Sequence, residues 1–417
     1  MSAGEQSDSA STLVEHYFRH EYGRLVSTLT RRFGAARLEA IEDAVQSAFE
    51  RALTAWPRQG RPDRPGAWLT RVAVNRLVDR LRKARHADRL EANDLDEPAT
   101  PGATEDMLVM LFACADERLA PRARLILCLK LLCGFSTREI AARLFMTSAN
   151  VQKTLERGRH RLQLTWHKLP PPATATADPH DDPRLATVLQ VLYLLFTEGA
   201  SPADTIGLRP ELCDEAIRLA RILVDHPRGD RPATWALLAL MHLHSARLPT
   251  QIDREGRLVP LPEQDRTRWD RRQIAAGFEC LHRATRSASY SRYHGEAAIQ
   301  VEHIIAPSFA ETRWHEIVAL YEALEVLQPS PVYALNRIVA LAEAESPELA
   351  LERLGELALP SWFRNHYVYF GALGELHRRT SHPERAPAYL RKAEENAPSR
   401  AERLLFRRRL EACAGST

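Results

Sequence analysis

Apolar positions recur every three to four residues along most of the chain. Ile41, Ala44, Val45, Ala48, Phe49, Ala52 and Leu53 follow the spacing that puts side chains on one face of a helix. They predict an amphipathic helix packed on that face, with Glu42, Asp43, Gln46 and Glu50 on its polar side. A second helix follows the Pro65-Gly66 turn, where Leu69, Val72, Ala73 and Leu77 of AWLTRVAVNRLVDRLRKARH can face a core. Two further helices are joined by a short turn. Ser136 and Glu139 have capping-box spacing ahead of EIAARLF, and Thr147 and Ser148 supply the N-cap of a helix from Ala149 through Arg161. Strand-like alternation is scarce, so the expected fold is all-α.

Two segments interrupt this periodicity. HADRLEANDLDEPATPGATED, from His86 to Asp106, carries seven acidic residues against one Arg, and LPPPATATADPHDDP, from Leu169 to Pro183, is rich in Pro, Ala and Thr. They predict a first helical domain at 10–86, an acidic linker at 87–106, a second small domain at 107–168, a Pro/Ala-rich linker at 169–183 and a helical block at 184–415. In the last block LYEALEVLQP, ALERLGELALP and AYLRKAEENAP recur, ending at Pro329, Pro360 and Pro398. The intervals, 31 and 38 residues, bracket the ~34 of a tetratricopeptide repeat. Such repeats bury their faces only against neighbours, which predicts an α-solenoid.

Charge sharpens the picture only where it is concentrated. Lys and Arg number 57 against 54 Asp and Glu, so the net charge of +3 identifies no partner. Between 61 and 90, however, nine Lys/Arg face three Asp. On the second helix Arg71, Asn75 and Arg82 share one outer stripe, and Arg76, Arg80 and Lys83 share the next. Such a surface suits a phosphate backbone, and Asn75 adds an amide able to donate and accept toward a base edge. A solvated charged face is the plainer reading of that helix taken alone. Small Ala141, Phe145 at the turn and Val151 have the spacing of a helix-turn-helix, although Phe145 replaces the usual glycine. The second helix of that motif exposes Asn150, Gln152, Lys153, Thr154, Arg157 and Arg161, with the N-terminal residues suited to base edges and Arg157, Arg159 and Arg161 to phosphates. A helical hairpin in an all-α core is the competing reading.

Several classes of function find no support. The N-terminus MSAGEQSDSASTLVEHYF lacks a basic and apolar leader, and no stretch approaches a membrane span, so a cytoplasmic protein without membrane association is expected. The six cysteines form no C-x-x-C pair, which points to reduced thiols rather than disulfides or zinc. His315-Glu316 begins an H-E-x-x-H pattern, but position 319 is Ala, and glycine-rich phosphate loops and nucleophile elbows are absent. Neither catalytic residues, nor a metal, nor a cofactor are expected. His242, His244, Trp269 and Trp314 could line a ligand cavity, though aromatics at helical spacing commonly belong to a core.

The two basic helical blocks, joined by an acidic linker, resemble the extracytoplasmic-function group of RNA polymerase sigma factors. EDAVQSAFERALTAW is similar to the polymerase-binding helix of sigma region 2, and WLTRVAVNRLVDRLRK to its minus-10 helix. APRARLILCLKLLCGFSTREIAARLFMTSANVQKTLERGRHRLQ looks like sigma region 4. VLYLLFTEGAS, LALMHLHSAR, QDRTRWDR and PSPVYALNR resemble a subgroup with a tetratricopeptide-like C-terminal extension. The resemblance implies core polymerase, through its beta-prime clamp and beta flap, and promoter DNA as partners. It places Asp43, Gln46 and Phe49 at the polymerase, and Trp68, Arg71, Asn75, Arg76, Arg80, Arg82 and Lys83 at the minus-10 element. Ser148, Asn150, Gln152, Lys153, Thr154, Arg157 and Arg161 fall on the minus-35 helix. It also implies base capture beside Asn75 during melting, and regulation in cis by the extension, where a regulatory protein or ligand could bind. A stand-alone helix-turn-helix regulator with a repeat-type sensor is the alternative.

Overall fold

The computed structural model describes residues 21–84, 103–144, 146–166, 183–201, 208–286 and 288–414. Phe145, the 169–182 part of the Pro/Ala-rich linker and most of the acidic linker lie outside them. The described residues are predominantly helical, with no strand among them and one isolated bridge between Ile252 and Leu258. The chain divides into two compact units, 1–195 and 196–417.

In the first unit, α1 (21–33) leads through a short 3-10 turn into α2 (Leu38–Gln59) and α3 (Pro65–Ala84). The apolar stripe of α2 is buried from Leu38 to Ala52, whereas Leu53, at the end of the expected stripe, is 44% exposed. Gly60 ends α2 with a positive φ of 81°, a conformation that disfavours side chains with a Cβ. Trp56 and Trp68 then meet edge-on at 5.7 Å and fix the α2–α3 corner. On α3, Leu69, Ala73, Val74 and Leu77 are buried, while Val72 is only half-buried.

The second block begins earlier than its charge pattern suggests. α4 (Ala103–Cys114) starts inside the expected acidic linker, because Glu105 and Asp106 occupy a first helical turn, where negative charge is favourable. Asp106 is buried and pairs with Arg31 of α1 at 2.9 Å. α5 (Pro121–Leu131), buried on every side over residues 125–129, forms the centre of the block, touched by α4, α6 (Thr137–Arg143) and α7 (Ser148–Thr165). Arg124 closes the α4–α5 loop by donating to the carbonyls of Asp116, Glu117 and Leu119. The two blocks touch inside this unit. Gly23 of α1 lies so close to Leu132 that any Cβ would collide with its backbone carbonyl.

The second unit is a series of helix pairs, each packed chiefly on its sequence neighbours. α9 (Pro210–Val224), α10 (Pro232–Ser245) and α11 (Arg271–Ala284) follow α8 (Pro183–Ala200) in the chain. Next come α12 (Arg292–Ile305) with α13 (Trp314–Leu327), α14 (Pro331–Ala344) with α15 (Pro347–Glu356), and, after the short α16 (Ser361–Arg364), α17 (Tyr367–Arg378) with α18 (Ala386–Asn396). α19 (Arg400–Ala414) closes the stack. The three recurring stretches are the second helices of these pairs, α13, α15 and α18, and the insertion holding α16 accounts for the longer second interval. The core is correspondingly divided into local clusters, one around Ile317 and Leu324, one around Leu335 and Leu354, and one around Leu390 and Phe406.

Candidate nucleic-acid interface

Burial of one stripe of α3 leaves the opposite stripes to solvent. Arg71, Asn75, Arg76, Arg80, Arg82 and Lys83 are exposed, and Trp68 is half-buried against Trp56. Arg76, Asp79, Arg80 and Lys83 face Asp43, Gln46, Ser47 and Glu50 of α2 across a polar groove of about 490 Å³. An ion pair between Arg80 and Asp43 crosses that groove. Both partners are about half exposed, so the pair is worth little and leaves either group free to exchange it. Gln46 donates to Glu50 along α2 at 3.1 Å.

Phe49 does not share this surface. It is 2% exposed and belongs to the core beneath α2, so the polymerase-facing position assigned to it by resemblance is corrected: its side chain shapes the helix from within. Glu42 departs from its expected position in the same way. It is 4% exposed because Arg159 of α7 reaches it at 2.5 Å. Burial pushes the Glu42 carboxyl above its usual range, against the opposing pull of Arg159 and Lys130.

The helix-turn-helix forms with both expected caps. The Ser136 side chain accepts from Glu139 N–H, Glu139 returns to the Ser136 N–H, and Thr147 accepts from Asn150 N–H at the start of α7. Val151, Leu155, Gly158 and Leu162 fill the buried face of α7. Ala141 is buried, as the close approach of α6 and α7 requires. Ser148, Asn150, Gln152, Lys153 and Arg157 are exposed, and Thr154 is half-buried with its hydroxyl donated back to Asn150 C=O. α7 therefore presents one polar, basic face toward its N-terminal end. The three arginines farther along differ in state. Arg157 is exposed, Arg159 is held by Glu42, and Arg161 lies 3.4 Å from Asp116. Burial raises the Asp116 carboxyl, but hydrogen bonds and charge from Arg118, with Arg161, outweigh it and hold the group at about 2. The Glu42–Arg159 and Arg31–Asp106 pairs were not visible in the sequence, since their partners are 117 and 75 residues apart and no local spacing links them.

Two exposed basic helices on small helical domains, one of them the second helix of a capped helix-turn-helix, define a nucleic-acid-binding protein. The comparisons make the class specific. Residues 18–87 match the family model described as Sigma-70 region 2, and residues 110–162 match Sigma-70, region 4. Residues 184–285 match a family of unknown function, DUF6596. An uncharacterised protein of Rhizobium meliloti (strain 1021) is 35% identical over 376 residues, covering 85% of this chain and 87% of that protein. No solved structure matches. The chain belongs to the sigma factors of the extracytoplasmic-function type, with an additional C-terminal helical domain. Such proteins are non-catalytic initiation factors that work with core RNA polymerase at promoters. Among the described residues no helix is long and apolar enough to cross a membrane.

Proposed function

We propose that this sigma factor directs core polymerase to specific promoters by gripping the minus-35 element with α7 and the melted minus-10 strand with α3. The observation that carries the reading is the pair of exposed basic faces, on α3 and α7, within the stretches that match sigma regions 2 and 4. Asn150, Gln152, Lys153 and Thr154, near the start of α7, would meet base edges in the major groove, and Ser148 and Arg157 would meet phosphates. On α3, Arg71, Arg76, Arg80, Arg82 and Lys83 would hold the backbone while Asn75 and Trp68 receive an extruded base. Extrusion costs a few kcal/mol in lost stacking, which contacts to the flipped base must offset. The reaction is binding chemistry, so no catalytic side chain is called for. Asp43 and Gln46 on the exposed side of α2 would meet the beta-prime clamp, and the second block the beta flap.

The C-terminal domain is assigned a regulatory role in cis on the strength of its continuity with the sigma regions in one chain. The alternative of a stand-alone regulator is not favoured, because the region 2 match covers a domain such a regulator has no use for. Permanganate footprinting of the polymerase–promoter complex tests the melting step. Asn75→Ala should reduce thymine reactivity at the minus-10 element at least tenfold while leaving closed-complex affinity within about threefold. Equal loss of both would remove Asn75 from base capture.

A further inference from the structure

The C-terminal domain contains two neighbouring arginines, Arg247 buried and Arg266 half-buried, that pair with no carboxylate among the described residues. Arg247 follows α10, and Arg266 and Trp269 lie in the loop leading to α11. The two guanidinium groups stand 5.6 and 4.8 Å from the Trp269 ring centroid. Trp269 itself is 3% exposed and donates its N–H to Thr250 Oγ1 at 3.1 Å. Two like charges therefore share one buried aromatic, and His303 of α12 lies next to both.

Helix capping accounts for part of this arrangement. Arg266 Nη1 donates to the carbonyls of His303 and Ala306 at the end of α12, and Arg247 Nη1 donates to Gln300 Oε1 at 2.9 Å. Three enclosed nitrogens remain without a hydrogen-bond partner: Arg247 Nε, Arg266 Nη2 and His303 Nδ1. Burial pushes Arg247, 9% exposed, down to about 10, with the charge of Arg266 adding to the effect. It also pushes His303 down to about 3, with both arginines adding. Among the described residues no carboxylate enters the causes of any of these three shifts. Other arginines of this domain have one close by: Arg209 pairs with Glu198 and Arg313 with Glu302. Uncompensated cations with unused donors are the signature of a site that an anion completes.

The fold supplies a place for the rest of such a ligand. Of this cluster His303 lines a groove of about 820 Å³, of the size small-molecule sites have, which runs past α13, α14, α17 and α19. Trp314 stands edge-on to His303 at 5.5 Å, Phe309 lies 4.9 Å from Trp314, and Tyr321 continues the wall. We infer that the Arg247–Trp269–Arg266 stack and His303 form an oxyanion site at one end of this groove. It takes the carboxylate or phosphate head of an amphiphilic small molecule whose apolar body lies along Phe309, Trp314 and Tyr321. The inference does not depend on the initiation reading, and its test does not involve transcription.

Isothermal titration of the full chain with sodium octanoate and with octyl phosphate tests it, and the tighter of the two identifies the head group. At least one anion should bind at a single site, and 1-octanol should bind at least tenfold more weakly. Arg266→Ala should weaken the anion at least tenfold, and Arg254→Ala, at an exposed position of the 253–257 loop, should not change it. If Arg266→Ala fails to fold by circular dichroism, Trp314→Ala, which opens a half-buried groove wall, takes its place with the same expected loss. Absence of saturable binding by either anion, unchanged affinity in the variant, or octanol binding as tightly as the anions would overturn the site.

Discussion

Glu42 owes its burial to a side chain from another block. A carboxylate enclosed to this degree is tolerable because Arg159 meets it, and removing either partner alone strands a charge. Arg159→Ala is therefore expected to destabilise the first unit by about 3 kcal/mol or more in urea denaturation. A Glu42→Leu, Arg159→Leu double variant should recover most of that loss. His303 gives a pH prediction. Its folded-state value of about 3 lies below the ordinary histidine range, mainly through burial. Between pH 6.5 and 3 the unfolded chain binds the proton and the folded chain does not, so stability falls as pH falls through that window. Acidification from pH 7 to 5 should cost the C-terminal domain about 2 kcal/mol at this residue. Thermal unfolding of His303→Gln should show a correspondingly flatter pH dependence; an unchanged slope would contradict the assignment.

α3 and α7 are where helix-level reasoning was most informative. Their buried stripes, their exposed basic faces and the N-cap of α7 follow from spacing and from the residues at the helix start, because those features depend only on neighbours three or four positions away. What spacing could not reveal is which polar residue of a helix meets another block. Asp43 remained at the surface while Glu42, one position away, was buried, and Phe49 faces inward despite lying on the helix expected to bind polymerase. The start of α4 was hidden by acidic residues that read as linker and serve instead in a first helical turn. Two predictions belong to this scale. Arg157→Ala on exposed α7 should lower the slope of log affinity against log salt by about one unit, as loss of a single phosphate contact requires. An unchanged slope would take Arg157 off the DNA surface. In the repeats, a Cβ on Gly374 of α17 would lie 2.7 Å from Leu390 Cδ2, so Gly374→Val should cost about 1–3 kcal/mol by forcing α17 and α18 apart. A melting temperature within a degree of the parent would show that the contact gives way freely.

At the scale of the whole molecule, the chain joins two sigma regions to a domain of stacked helix pairs. The repeat architecture was legible in three recurring stretches, each the second helix of a pair, whereas the groove-lining side chains come from first and second helices alike and share no spacing. The cation cluster at Trp269 was not legible at all, since Arg247, Arg266 and His303 come from separate elements brought together by packing. Everything proposed for the sigma regions rests on their acting together with polymerase. Run-off transcription with purified core polymerase, on promoter DNA selected with the full chain, examines that point directly. The account predicts a transcript of one defined length that requires the chain and is lost when Asn75 and Arg157 are both replaced by Ala. Failure of the chain to bind core polymerase, or transcripts with the same start sites whether or not it is present, would contradict it.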